Sequence, residues 1–119
     1  MLRTLLIALA GLLVIAPICG TGLTVTFGYT NTDSEAVTFD TRMGTTGSWL
    51  DSGIVVPPDS SVTTSPHAVQ KDYWFTCVVK DEESTTLDSV VVAGYQWTAG
   101  SSVTWAWDGT ALTPHVFIP

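Results

Sequence analysis

The segment LTVTFGYTN, residues 23–31, alternates apolar with small or polar side chains without a break. Leu23, Val25, Phe27 and Tyr29 fall on one face, and Thr24, Thr26, Gly28 and Thr30 on the other. A period of two belongs to an extended strand and conflicts with the 3.6-residue period of a helix. A strand that is apolar on one face only has to lie in a sheet whose apolar side is covered by another layer. The remainder of the chain must supply both the neighbouring strands and the cover.

It has the means to do so. NTDS (31–34) carries short polar side chains that bond their own backbone in turns. EAVTFDTR (35–42) returns as a second strand, with Val37 and Phe39 on one face. MGTTGS (43–48) reads as a loop, after which Trp49 and Leu50 open a short element. GIVV (53–56) stops at Pro57-Pro58-Asp59, because proline donates nothing to a strand ladder. SSVTTS (60–65) is a short strand cut off by Pro66, and DYWFTCVVK (72–80), apolar on both faces, is a central one. DEES (81–84) is a charged turn, and LDSVVVAGYQW (87–97) is a long strand kinked at Gly94. The C-terminus forms a hairpin from SSVTWAW (101–107) and TALTPHVFI (110–118). Asp108-Gly109 between them predicts a type I′ turn.

About seven to eight short strands, with turns every ~8–12 residues, predict an all-β fold. The expected architecture is an antiparallel β-sandwich of immunoglobulin-like, Greek-key type over residues 23–119, with a small barrel as second choice. Frequent threonine agrees, since β-branched side chains suit a pleated surface. Phe27, Val37, Phe39, Phe75, Val79, Val91, Trp105 and Val116 are the expected core. A chain of 119 residues is one domain's worth.

Residues 1–22 stand apart. Arg3 precedes an apolar run over residues 5–18, the order of a secretory signal peptide. About 14 helical residues cover ~21 Å, short of the ~30 Å hydrocarbon core. Cleavage is therefore expected, although Ile18-Cys19-Gly20 lacks the usual small residue at −3. Uncleaved, the segment is a marginal membrane anchor; either way the domain works outside the cytoplasm. Cys19 follows API, a poor match to a lipidation motif.

Charge and cysteine content remove whole classes of function. The net charge is −7, and past residue 22 only Arg42, Lys71 and Lys80 face eleven acidic side chains. Such a surface repels phosphate backbones and anionic lipid, so no nucleic acid is expected as partner, and no membrane except through residues 1–22. Cys77 is the only cysteine after the leader, which precludes an intradomain disulfide and leaves no zinc-type spacing. The acidic turns NTDSE and DEES lack EF-hand spacing and read as solvated turns. There is no G-x-S-x-G, P-loop or H-E-x-x-H motif. The asparagine begins N-T-D, which is not a glycosylation sequon.

Two pieces carry a resemblance. GSSVTW (100–105), a turn and then Pro114-His115 resemble the strand–loop–histidine segment of cupredoxins, and YWFTC (73–77) resembles their thiolate-bearing strand. The resemblance implies a copper site built on Cys77 and His115, with electron transfer as the activity. His67, in the SPHAV loop, lies outside both pieces and could be a second ligand only through a coincidence of the fold. The residues depart from that pattern. The two pieces occur in reversed order, and VVKDEES after Cys77 brings neither histidine nor methionine. Alternation also sets His115 with Thr113 and Phe117, opposite Leu112, Val116 and Ile118, while Cys77 shares the face of Tyr73, Phe75 and Val79. His115 is thus expected in solvent, Cys77 in the core, and no metal or other cofactor is expected.

Aromatic side chains remain as binding candidates. Trp105 and Trp107 share a face with Val103 and read as core, leaving Trp49, at the edge of the 43–48 loop, as the exposed tryptophan. The functional expectation is a non-catalytic extracellular structural or binding module, either a subunit of a surface or virion-type assembly or an adhesin-like domain. Its partner is a protein or a surface. Self-association through edge strands is a second route, with LTVTFGYTN as the suspected free edge. The alternatives are a small secreted cupredoxin-like electron carrier and, third, a small secreted hydrolase with two carboxylates converging in a pocket.

Overall fold

A computed structural model describes residues 23–119. The signal-peptide, anchor and lipidation expectations for residues 1–22 lie outside the described residues. The described part is all-β, with nine strands and no helix. In chain order these are β1 (Thr24–Asn31), β2 (Val37–Met43), β3 (Trp49–Val56), β4 (Ser60–Thr63) and β5 (His67–Ala68). They are followed by β6 (Phe75–Lys80), β7 (Thr86–Val92), β8 (Ser101–Trp107) and β9 (Leu112–Phe117).

Two sheets face each other in a sandwich-like arrangement. One has the order β9-β8-β1-β4, with the two-residue β5 joining β1 beyond the end of β4; the other has the order β3-β2-β6-β7. Alternation in β1 turns Val25, Phe27 and Tyr29 inward, all fully buried. The facing sheet supplies Phe39 and Val37 from β2 and Phe75, Cys77 and Val79 from β6, and β8, beside β1 in the same sheet, adds Val103, Trp105 and Trp107. Aromatic contacts bridge the sheets. Phe27 meets Phe75 edge-on with centroids 5.1 Å apart, and Tyr29 lies 5.1 Å from Phe39, spacings at which ring edges and faces attract.

Several expectations are corrected. β1 is not a free edge: it pairs in parallel with β8 along Val25–Asn31 on one side and antiparallel with β4 and β5 on the other. The same parallel pair breaks the expected all-antiparallel pattern, since the other paired strands run antiparallel. Val91 is not core but 47% exposed. Its register partner Thr76 is on the outer face, and in a run of three valines the pattern does not say which parity points in; Val92 and Val90 do. Val116 is half-buried and packs against the core. The 87–97 strand ends at Val92, before Gly94, and the 72–80 strand starts at Phe75, where it is central as expected. The Asp-Gly turn is not type I′, because Gly109 alone has a positive φ, +92°. Its neighbour Asp108 instead accepts hydrogen bonds from the N–H groups of Thr110 and Ala111.

Candidate functional site

The strand β3 determines what is presented on each side of its sheet. It pairs with β2 in the register Phe39↔Ile54, Thr41↔Asp51 and Arg42↔Trp49. Ser52 and Gly53 therefore stand against Asp40 alone, and Leu50 is an extra residue between two paired positions. These are two β-bulges in succession, a device that bends a strand and re-aims its side chains. Unbroken alternation would place residues 49 and 51 on one face. The extra Leu50 separates them: Trp49 joins Arg42 on the outer face, and Asp51 joins Thr41 on the inner face.

On the outer face the bulges open a cleft of ≈ 320 Å³, lined by Trp49, Ser52, Gly53, Asp40, Lys80 and the turn residues Asp81, Glu82 and Ser84, with Thr38 between. That is the lower end of the ~300–1,000 Å³ usual for small-molecule sites. Trp49 is 44% exposed. The Arg42 guanidinium lies 3.9 Å from the centre of its ring, a cation–π contact that holds the indole in place. Arg42 is itself fixed by donating from Nη1 to the Thr45 carbonyl at 2.9 Å. The floor is Asp40, whose Oδ1 accepts the Gly53 N–H at 2.6 Å and whose Oδ2 lies 3.3 Å from Lys80 Nζ. Gly53 has φ +67°, a conformation glycine adopts without strain, and it directs its N–H at Asp40. Asp81 is also committed: its Oδ1 accepts from the N–H groups of Glu83 and Thr85, closing the turn.

On the inner face, Asp51 is the hub of a buried polar chain. Its Oδ2 accepts from the Tyr29 hydroxyl and from Thr64 Oγ1, each at 2.6 Å, and its Oδ1 lies 2.8 Å from His67 Nε2. Tyr29 has given its one proton to Asp51, so the Thr41 hydroxyl donates to it at 2.8 Å. Thr41 in turn lies beside Cys77. Burial first, then the bond to Asp51, hold the Tyr29 phenol protonated far above its ordinary range. Burial likewise pushes the Cys77 thiol up, opposed by the Thr41 hydroxyl and reinforced by the charges of Asp40 and Asp51. A thiol held protonated is a poor nucleophile and a poor metal ligand. This chain joins the two sheets through Tyr29, Asp51, Thr64 and His67.

The residues singled out from the sequence are therefore dispersed. Cys77 is fully buried on β6, and His115 is exposed on the outer side of β9. His67, expected in a loop, is on β5 with its Nε2 engaged by Asp51. Among the described residues no group of three or more His, Cys, Asp or Glu side chains is placed to hold a metal ion. Trp49 is exposed and opens β3, and Trp105 and Trp107 are buried. The sequence reading missed Asp40, Lys80 and Asp51. Their signal was Gly53, since an isolated glycine within a strand marks a bulge or a close backbone approach. No protein-family model matches the chain, and no curated protein matches it.

Proposed function

We propose that residues 23–119 are a non-catalytic binding module of an immunoglobulin-like, Greek-key sandwich, acting outside the cytoplasm. It takes its place on a surface or in an assembly through the Trp49 cleft. The observation that carries this reading is an indole in contact with Arg42 at an open cleft lined by both hydrogen-bond donors and acceptors. Exposed, rotationally restricted tryptophans are favoured binding anchors because little side-chain entropy is lost when they are covered. The extracellular setting rests on Arg3 and the apolar run over residues 5–18.

Binding is favoured over hydrolysis by the state of the carboxylates. Glycoside hydrolysis needs two free carboxyl groups at a set separation. Asp40 is spent on Gly53 and Lys80, and Asp81 on its own turn, which leaves Glu82 as the uncommitted one of the cleft.

The test compares the native chain with Trp49→Ala in material recovered from the cell exterior, by native mass and particle size. The native chain is expected in a surface-bound or multi-subunit fraction. Trp49→Ala is expected as free monomer with an unchanged far-UV CD spectrum. A native chain that is monomeric and bound to nothing, or a variant that stays associated, overturns the proposal.

A further inference from the structure

We infer that the Trp49 cleft takes a neutral, polyhydroxylated ring, such as the exposed hexose of a surface glycan; this rests on the cleft being the binding site proposed above. The charge around the indole selects the class. Arg42 already lies on Trp49 at 3.9 Å, and Lys80 lines the same cleft. An ammonium or guanidinium ligand stacking on that ring would approach the Arg42 guanidinium and Lys80, which offset the carboxylates of Asp40, Asp81 and Glu82 in the same cleft. An anion fares no better, because Asp40, Asp81 and Glu82 also line the cleft and the chain as a whole carries −7. A neutral ligand meets neither penalty.

The chemistry of the walls then asks for hydroxyl groups. A sugar hydroxyl donates and accepts at once, and the cleft provides for both. The Glu82 carboxylate accepts, Lys80 Nζ donates, and the hydroxyls of Ser52, Ser84 and Thr38 do either. The exposed part of the indole suits the C–H face of a pyranose, which carries partial positive charge toward the π system. A purely apolar ligand would leave those polar walls desolvated and unpaired, a cost that opposes its binding. The cleft is open and small, so it fits a single terminal ring rather than an enclosed oligomer.

The test is a titration of the ¹⁵N-labelled full chain with methyl β-glucopyranoside, methyl β-galactopyranoside and methyl α-mannopyranoside, with choline and inorganic phosphate as charged probes. The Trp49 indole N–H, identified from a Trp49→Phe spectrum, and the Gly53 amide are followed. At least one glycoside is expected to shift both signals saturably, with little dependence on salt. Its affinity should fall about tenfold or more in Trp49→Ala and stay unchanged in His115→Ala. Saturable shifts from choline or phosphate, with none from the glycosides, overturn the neutral-ring assignment while leaving the cleft as the binding site. No shift from any probe also overturns the assignment, whereas the proposal above falls if the native chain is monomeric and bound to nothing or if Trp49→Ala leaves surface association intact. Release of methanol from a glycoside overturns the non-catalytic reading.

Discussion

Cys77 and Tyr29 keep their protons in the folded chain well past the pH at which an unfolded chain would release them. In the unfolded state a thiol titrates near ~8.5 and a phenol near ~10. Above those values the unfolded state binds fewer protons than the native state, so stability falls as pH rises. The urea midpoint is expected to be insensitive to these two groups below about pH 8 and to fall progressively above about pH 9. Cys77→Ala should remove the earlier part of that fall, and a midpoint unchanged up to about pH 11 would contradict the assignment. Native Cys77 should also resist thiol-labelling reagents until the chain is unfolded. Tyr29→Phe removes a donor from Asp51 and an acceptor from Thr41, both buried. It should cost about 1–3 kcal/mol in urea unfolding, with ligand binding at the cleft unchanged because that site is on the other face of the sheet.

At the scale of elements, β3 does the most with the least. The bulge at Leu50 gives Asp51 to the interior and Trp49 to the cleft, and the bulge at Ser52-Gly53 aims the Gly53 N–H at Asp40. An alanine there would have to adopt φ +67°, although nothing within 4 Å blocks its Cβ. The expected cost is therefore conformational, roughly 1–2 kcal/mol. Gly53→Ala should also weaken cleft binding at temperatures where the protein remains folded, because the Gly53–Asp40 hydrogen bond sets the cleft floor. Full affinity in a folded Gly53→Ala variant would separate the bulge from the site. β1 has the opposite character. Paired along both sides, it is an internal strand of its sheet, and among the described residues the outermost strands are β3, β7, β9 and β4 with β5.

For the molecule as a whole, the inter-sheet aromatic contacts make one cooperative unit of two sheets. Phe27 on β1 reaches across to Phe75 on β6 and, within its own sheet, touches Trp105 on β8 and the His67 ring on β5, while Tyr29 reaches across to Phe39 on β2. Phe27→Ala should cost about 3–5 kcal/mol, a large part of the ~5–15 kcal/mol typical of a domain. Tryptophan fluorescence and far-UV CD are expected to report one coincident transition in both the native chain and the variant. Separate transitions would show that the sheets unfold independently.

Local pattern in the sequence was enough for most of the strands, though not for β5 or for the continuity of β3, and for the turns at NTDS, Pro57-Pro58-Asp59 and DEES and the sidedness of most core residues. Alternation needs no knowledge of neighbours: once a strand forms, parity decides which of its side chains share a face. It placed Cys77 inward and His115 outward on those grounds alone. What parity cannot convey is which strands pair and where the register slips. The parallel β1–β8 pair joins residues more than 70 positions apart, as Val25↔Ser101 shows, and no local signal records that choice. The extra Leu50 and the Ser52-Gly53 pair become bulges only when β2 lies alongside, because a bulge is a mismatch between two strands and not a property of one. That mismatch turned Trp49 and Asp51 to opposite faces, and with them the cleft and the buried polar chain were decided by tertiary structure.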